Sequence, residues 1–439
     1  MLGLALYGGA MLALSVLTLR KPHIALVAVL CMFGLDQIGQ IYHPFFRANT
    51  AFTNICILSL VIVGVVIAFK RGCIPLSFAF QHVKLRALSI ALFAFALLSL
   101  MWTPVAGWMY WELAWPYLIA SIVLAPLLIA RIGDLHEVQR TFISVGGVIV
   151  LFLATVPDWG YRSLLIEDTG ERLGLPLALG QLSGYLLITA AIHYQRNLLR
   201  IGWLALVVVS ALVVAIQSGS RGPLIFSIFT AIVVMPMVWT RFSVKHAAQL
   251  VITGGVLALA AFFLFDQSAE YAVRWDTSKL MGDSTERIEM AKAVLTHWAA
   301  SPVSIIFGIG NSASYSAEVL GIYPHIVPLE VLAEQGVIGF ALLVSIMVIS
   351  VRQCRQFGSI RSLPVEVRQA YAGVFGCFIF TLLLSLKQGS LLGSPEIFLF
   401  AVLGEKHLYL TKRGIYRARK MAQKANVAPA DAMMPRTLS

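Results

Sequence analysis

Hydrophobic positions in this chain fall in long, nearly unbroken runs, not in the alternating or one-sided stripes of a water-soluble fold. Apolar segments lie near residues 2–19, 24–43, 51–69, 87–102, 108–130, 141–157, 173–193, 201–217, 223–240, 247–265, 326–351, 371–388 and 394–411. A bilayer core of about 30 Å takes about 20 helical residues per crossing, so these runs predict an all-α polytopic membrane protein with about 12–13 transmembrane helices. Two or three of the shorter runs are compatible with a re-entrant course. The first, from Met1 to Leu19, has no basic stretch ahead of its apolar core and no clear small-residue cleavage site, and it reads as a helix and not as a removed signal peptide.

One polar interval is much longer than the others. From Asp266 to Pro324 the chain stays outside the membrane for about sixty residues, and connections of that length are commonly functional. Within it, Asp283-Ser-Thr-Glu286 reads as a helix N-cap with its reciprocal acid. Ile288, Ala291, Leu295 and Trp298 follow at helical spacing, with a stop at Ser301-Pro302. The predicted element is an amphipathic helix whose apolar stripe packs on the bundle or lies among lipid headgroups. The resulting organisation is residues 1–265 with ten spans, 266–325 as an outer loop with its amphipathic helix, 326–411 with three further spans, and 412–439 as a basic tail.

Composition excludes a soluble globule: 59% of the 439 residues are hydrophobic and 12% are charged, against roughly 25% charged in soluble domains. The net charge of +12 would point to nucleic acid in a soluble protein, but here it follows the alternation of loops. One side collects 23 Lys and Arg, while the other carries nine, with Lys406 at the edge of the richer side. By the positive-inside rule the richer side, with the C-terminus, is cytoplasmic. The 266–324 loop then faces the periplasm, and the bilayer replaces nucleic acid as the expected partner. The tail Lys412–Lys424 reads as an anionic-lipid anchor with a frayed end. The five cysteines, Cys31, Cys56, Cys73, Cys354 and Cys377, are scattered without the spacing of a zinc site or a redox dithiol.

Three places carry candidate chemistry on the poorly basic side. In Ser218-Gly-Ser-Arg221-Gly-Pro223, Pro223 suits the first position of a helix and Gly222 allows close backbone approach, so free N–H groups and Arg221 converge on one anion. The alternative is an interfacial arginine bonded to headgroups. Arg287, read in the first turn of the loop helix, is either a solvated salt-bridged arginine beside Glu286 and Glu289 or a second guanidinium for a diphosphate, with Arg274 as its rival. His325 stands where the long loop re-enters the membrane, and Glu330 or Glu334 is placed to orient its ring. It reads as a general base or as a hydrogen-bonded structural histidine. Gly336 and Gly339 at i, i+3 would let another helix approach closely, and Lys387 near an outer helix end is a further phosphate contact. Asp36 and Glu112 lie in or beside apolar spans. The sequence holds no Walker loop, Asp-x-Asp pair, His-Glu-x-x-His or Gly-x-Ser-x-Gly.

Together, Ser220-Arg221-Gly222-Pro223, Arg287, Gly308-x-Gly310, Pro324-His325 with Leu329-Glu330, and Glu334-x-Gly336-x-x-Gly339 resemble the O-antigen ligase and polysaccharide polymerase superfamily, over about residues 172–350. The resemblance implies a bundle similar to metal-independent, GT-C-like membrane glycosyltransferases, with a large periplasmic loop, in the bacterial inner membrane. It implies transfer of a glycan from undecaprenyl diphosphate to a sugar hydroxyl, with inversion and with no nucleotide, metal or other cofactor. By position, Arg221 and Arg287 correspond to the diphosphate-binding arginines and His325 to the catalytic histidine, while Arg172-Leu-Gly174 matches an upstream arginine motif.

Ligases of the family usually follow that histidine with Asn, Ser or Gln, whereas Ile326 follows it here. This favours a polymerase extending a lipid-linked glycan, with a chain-length regulator as a further partner, over a ligase that caps lipid A–core. A lipid-linked glycan flippase or transporter is the alternative of another class. It would be expected to carry inverted repeats, and no such symmetry is visible in the sequence.

Overall fold

The computed structural model describes residues 2–49, 51–73, 84–155, 176–193, 198–218, 221–238, 277–360 and 363–427. Its helices in chain order are α1 (Leu2–Arg20), α2 (Ala25–Leu30), α3 (Met32–Tyr42), α4 (Pro44–Ala48), α5 (Phe52–Lys70), α6 (Lys84–Leu98), α7 (Trp108–Leu118) and α8 (Asp134–Thr155). They continue with α9 (Pro176–Ile192), α10 (Leu198–Gln217), α11 (Arg221–Val238), α12 (Thr277–Trp298), α13 (Pro302–Phe307), α14 (Val327–Gly358), α15 (Val365–Ser385) and α16 (Glu396–Val427). Among the described residues nine helices are long and apolar enough to cross a membrane, or ten if α2 and α3, bent by 59° at Cys31, count as one span. The protein is an all-α polytopic membrane protein. The apolar segment 247–265 and the tail beyond residue 427 lie outside the described residues.

Helix boundaries depart from the apolar runs where polar residues have a place in the helix. The run at 141–157 belongs to a helix that begins at Asp134, whose carboxylate accepts the amides of Ala130 and Arg131 at 2.9 and 2.8 Å. Acids suit a helix start, where unpaired N–H groups and the positive dipole end meet. Pro116 lacks an N–H for the helix ladder, and α7 gives way to a wide π-helical turn at Ile119–Leu124 and a tight 3-10 turn at Ala125–Leu128. The last apolar segment and the first half of the basic tail form one helix, α16, of 32 residues. Its first half is buried.

Lipid tails are as apolar as leucine, so close packing and polar contacts must hold helices together in a bilayer. Gly184 on α9 leaves the space that the Phe380 ring of α15 occupies, and a Cβ at Gly147 of α8 would lie 2.5 Å from Val207 of α10. Around these contacts Tyr185, Phe142, Phe378, Phe380 and Phe398 are fully buried.

The two ends of the bundle differ in chemistry. At one end Lys21 and His23 pair with Glu137, Arg71 donates to the carbonyls of Arg20 and Leu19, and Lys412 donates to Gln356. At the other, the segment between α13 and α14 settles over the end of α6 and the start of α7, and the first turn of α14 bonds the loop between α15 and α16. This second end holds the candidate site.

Candidate active site

The site is built around a break in α14. At Gly336 the backbone takes φ +65°, ψ −166°, so the helix is two rods, Val327–Gln335 and Val337–Gly358. The break exposes two carbonyls: that of Ala333 accepts the amide of Ile309 at 2.9 Å, and that of Glu334 accepts the amide of Gly310 at 3.0 Å. Gly308, at φ +81°, lies so near that a Cβ on it would collide with the Glu334 carbonyl, and one on Gly336 would collide with that of Ile306. Only glycine takes such a φ without strain. The expected helix–helix approach at Gly336 and Gly339 is therefore corrected: Gly336 receives the backbone of the loop, and the space at Gly339 is taken by the Gln335 side chain of the same helix.

The loop is then fastened by polar contacts. Glu334, fully buried, accepts from the Ser312 amide at 2.6 Å and the Asn311 side-chain amide at 3.4 Å through one oxygen. Its other oxygen accepts from the Ser314 amide at 3.2 Å and hydroxyl at 2.5 Å. Asn311 donates its backbone N–H to Ser99 at 2.9 Å and accepts the Trp111 indole N–H at 2.9 Å, which joins the loop to α6 and α7. Glu330 accepts the Leu391 amide at 3.1 Å and ties in the loop before α16. Among the described residues neither glutamate bonds His325: Glu334 is engaged by the Asn311–Ser314 loop and one oxygen of Glu330 by Leu391.

His325 follows in the left-handed region at φ +58°, a costly conformation for a residue with a side chain. It is half-buried, and its ring meets that of Tyr323 at 4.2 Å between centroids. Burial, followed by the Arg287 guanidinium, holds the imidazole below the usual histidine range, while Glu286 acts in the opposite direction. Arg287 and His325 thus share one local field. Held neutral, the imidazole is in the form that can accept a proton.

Arg287 arrives by a route different from the one its sequence predicts. The helix carrying it begins at Thr277, so Asp283–Glu286 is not a cap and Arg287 is well inside α12. Its Lys292–Glu289 pair spans 2.8 Å on the exposed side. The Ser301-Pro302 stop is also a start: Ser301 caps α13 in a capping box with Ser304. Helix α12 packs against α14.

The second basic centre is the start of α11. Arg221 is its first residue and Pro223 its third, a shift of two from the expected first position. A Cβ at Gly222 would lie 3.3 Å from Lys387 Cδ and 3.5 Å from its Nζ, so the bare glycine lets the Lys387 ammonium lie over the first turn. Arg221, Lys387 and the positive dipole end of an 18-residue helix concentrate positive potential there. Arg172, Arg274 and Gly219-Ser220 lie outside the described residues. Of the intramembrane acids, Asp36 accepts from Gln40 at 2.7 Å within its own helix, and Glu112 is exposed.

Sequence reasoning gives no role to Tyr110, Tyr315, Tyr323 or Asn311, since nothing in the sequence shows that these side chains meet; Glu286 is read from sequence as part of a cap and as a neighbour of Arg287.

Residues 205–344 match the family model described as O-antigen ligase. The chain carries a domain of the O-antigen ligase and polymerase superfamily. The matched stretch runs from α10 into the second rod of α14 and contains Arg221, Arg287, the Gly308–Gly310 loop, His325 and Gly336. A search of curated proteins gives no match. The matched stretch, with the helical bundle, supports a multi-pass membrane enzyme of the O-antigen ligase and polymerase type.

Proposed function

We propose that this O-antigen ligase family protein transfers a glycan from undecaprenyl diphosphate to a sugar hydroxyl on the periplasmic face of the bacterial inner membrane. The observation that carries this reading is that one family-matched stretch contains Arg221, Arg287 and His325, with the charge of Arg287 reaching the imidazole of His325.

In the proposed step the acceptor hydroxyl attacks the anomeric carbon while the bond from that carbon to the diphosphate oxygen breaks. The hydroxyl proton passes to His325, and the electron pair of the broken bond stays on the diphosphate. Attack from the face opposite the leaving group inverts the anomeric centre. Charge grows on the leaving diphosphate, where Arg221, Lys387, Arg287 and the first amides of α11 supply preset positive partners. Arginine suits this role because its planar fork meets phosphate oxygens two at a time. Arg274 and Arg172 are proposed to extend the same basic surface.

Chain organisation is read in the same frame. Residues 266–325 form the periplasmic loop, spans flank it on both sides, and the tail from 412 is cytoplasmic, in keeping with the basic residues at the Lys21 and Lys412 end. Ile326 after His325 favours polymerase over ligase. The ligase reading keeps a specific support, since O-antigen ligase is the description of the matching family model.

Purified protein in lipid vesicles, given undecaprenyl-diphosphate-linked repeats alone or with lipid A–core, tests both. Ladders without lipid A–core mark a polymerase, and product only with lipid A–core marks a ligase. No transfer to either acceptor from a folded preparation overturns the proposal.

A further inference from the structure

We propose that Tyr323 is a positioning residue for His325, and that Tyr315 and Tyr110 set its place from outside the histidine's own segment. This rests on the reading of His325 as the base.

The imidazole needs something to hold it. Its backbone is in the left-handed region, and among the described residues no side chain hydrogen-bonds the ring. Glu330 and Glu334, the first acids after His325 in sequence, are engaged by Leu391 and by the Asn311–Ser314 loop. What does contact the ring is Tyr323, at 4.2 Å between centroids and 55° between planes. Pro324 lies between the two residues, and a residue before proline is kept out of the helical region, so the strand entering His325 is stiff.

Tyr323 is part of a short series of rings. Its centroid lies 6.0 Å from Tyr315, which stacks on Tyr110 at 4.3 Å and 23°. Tyr110 belongs to α7, and Tyr315 follows directly on the loop that Glu334 fastens. The series therefore runs from a membrane helix, through the pinned loop, to the imidazole. Rings have few rotatable bonds and adopt preferred tilted or stacked geometries, so such a series transmits position better than flexible side chains do. The charged and titratable groups around His325 are Arg287 and Glu286 from α12 and Tyr323 beside it, with Tyr315 against Tyr323 and Glu330 acting on both tyrosines.

The test uses full-length protein in vesicles, with turnover, donor KM, pH profile and thermal stability measured on each preparation. Tyr323→Ala is expected to lower kcat about ten- to a hundredfold, the scale on which small misplacements act, with KM nearly unchanged. Its acid limb should move to higher pH, because water reaches the uncovered imidazole. Tyr323→Phe keeps the ring and should restore most of the turnover, whereas Tyr323→Leu, similar in apolar bulk, should not. Tyr110→Ala should give a smaller fall in kcat that Tyr110→Phe reverses. If Tyr323→Ala fails to fold, Tyr323→Leu decides. Folded Tyr323→Leu with the turnover and acid limb of the unaltered protein overturns the positioning role, as does Tyr323→Phe that is as impaired as Tyr323→Leu. His325→Ala, run alongside, separates the two levels. If it retains turnover the base reading fails, and if it alone is inactive the base stands without its tyrosine.

Discussion

Glu334 lies fully buried and accepts the Ser312 amide at 2.6 Å, although the two residues are 22 positions apart and belong to α14 and to the loop that precedes it. The carboxylate also serves Ser314 twice and the side chain of Asn311. Removing it strands several donors at once. Each buried donor left unpaired costs about 1–3 kcal/mol, so Glu334→Ala should lower the melting temperature markedly and reduce membrane abundance. Glu334→Gln, which keeps one good acceptor, should fall between. Thermal unfolding in one detergent, with turnover per folded molecule, checks this. Unchanged melting in Glu334→Ala would remove the fastening role.

Gly336→Ala is expected to be worse than a usual glycine replacement in a helix. The residue sits at φ +65°, and its Cβ would meet the Ile306 carbonyl. Backbone strain of this type costs about 1–3 kcal/mol before any clash is counted. Gly339→Ala meets the Cβ of Gln335 as closely, at 2.3 Å, but has no left-handed φ and so lacks the added backbone strain. Thermal unfolding checks this; a Gly336→Ala protein that melts like the unaltered one would mean that the break at Gly336 is not needed.

The acid limb of turnover should report His325. The base form is the neutral imidazole, and burial with Arg287 lowers its pKa. Activity should therefore persist below the ordinary histidine value of about 6.5 and fall only at lower pH. Arg287→Gln removes a lowering charge, so its limb moves to higher pH, on top of reduced turnover. Glu286→Gln removes a raising charge, so its limb moves lower. A profile of log kcat/KM against pH for the three proteins checks the signs, and shifts opposite to these would dissociate the limb from His325.

Arg221 and Lys387 should differ in the way their loss is felt. Arg221→Lys keeps charge but loses the fork, and transfer should fall by about 10² to 10³, as for removal of one donor to a developing anion. Lys387→Gln thins the positive potential over Gly222 and should mainly raise the donor KM. Steady-state kinetics with a lipid-linked donor distinguish them, and near-normal transfer in Arg221→Lys would remove Arg221 from the diphosphate site.

Sidedness is open to direct measurement. Single cysteines at Ser278 and Ser439, in a background without the five natural ones, should react with an impermeant reagent from opposite sides of the membrane. Reaction of both from one side would invert the proposed organisation.

The bundle was legible because crossing a bilayer leaves a mark in every twenty residues of sequence, and the apolar runs that fall on described residues coincide with helices, which reach beyond them at Asp134, Gly358 and Val427. The basic and histidine positions were legible too, since Arg221, Arg287 and His325 stand in a recognisable order. What joins them was not. The early start of α12 at Thr277 displaced the expected cap at Asp283, because a propensity signal near a helix end loses to packing against α14. The break at Gly336 is invisible locally: Gly-x-x-Gly in an apolar run reads as a helix contact until Gly308 and Ile309 are known to arrive there. Tyr110 and Tyr323, 213 positions apart, are related only by the fold.

The meeting of Gly308 and Gly336 also restricts how this chain can change. Where two side chains crowd, enlarging one is often relieved by shrinking the other. Here each partner is already the smallest residue, and what meets is main chain on main chain. A second-site suppressor of Gly308→Ala cannot arise at Gly336, nor the reverse. Relief must come from shifting the Ile306–Gly310 backbone itself, and that backbone carries the hydrogen bonds to Ala333 and Glu334. Revertants selected from either glycine mutant should therefore be true reversions far more often than compensations.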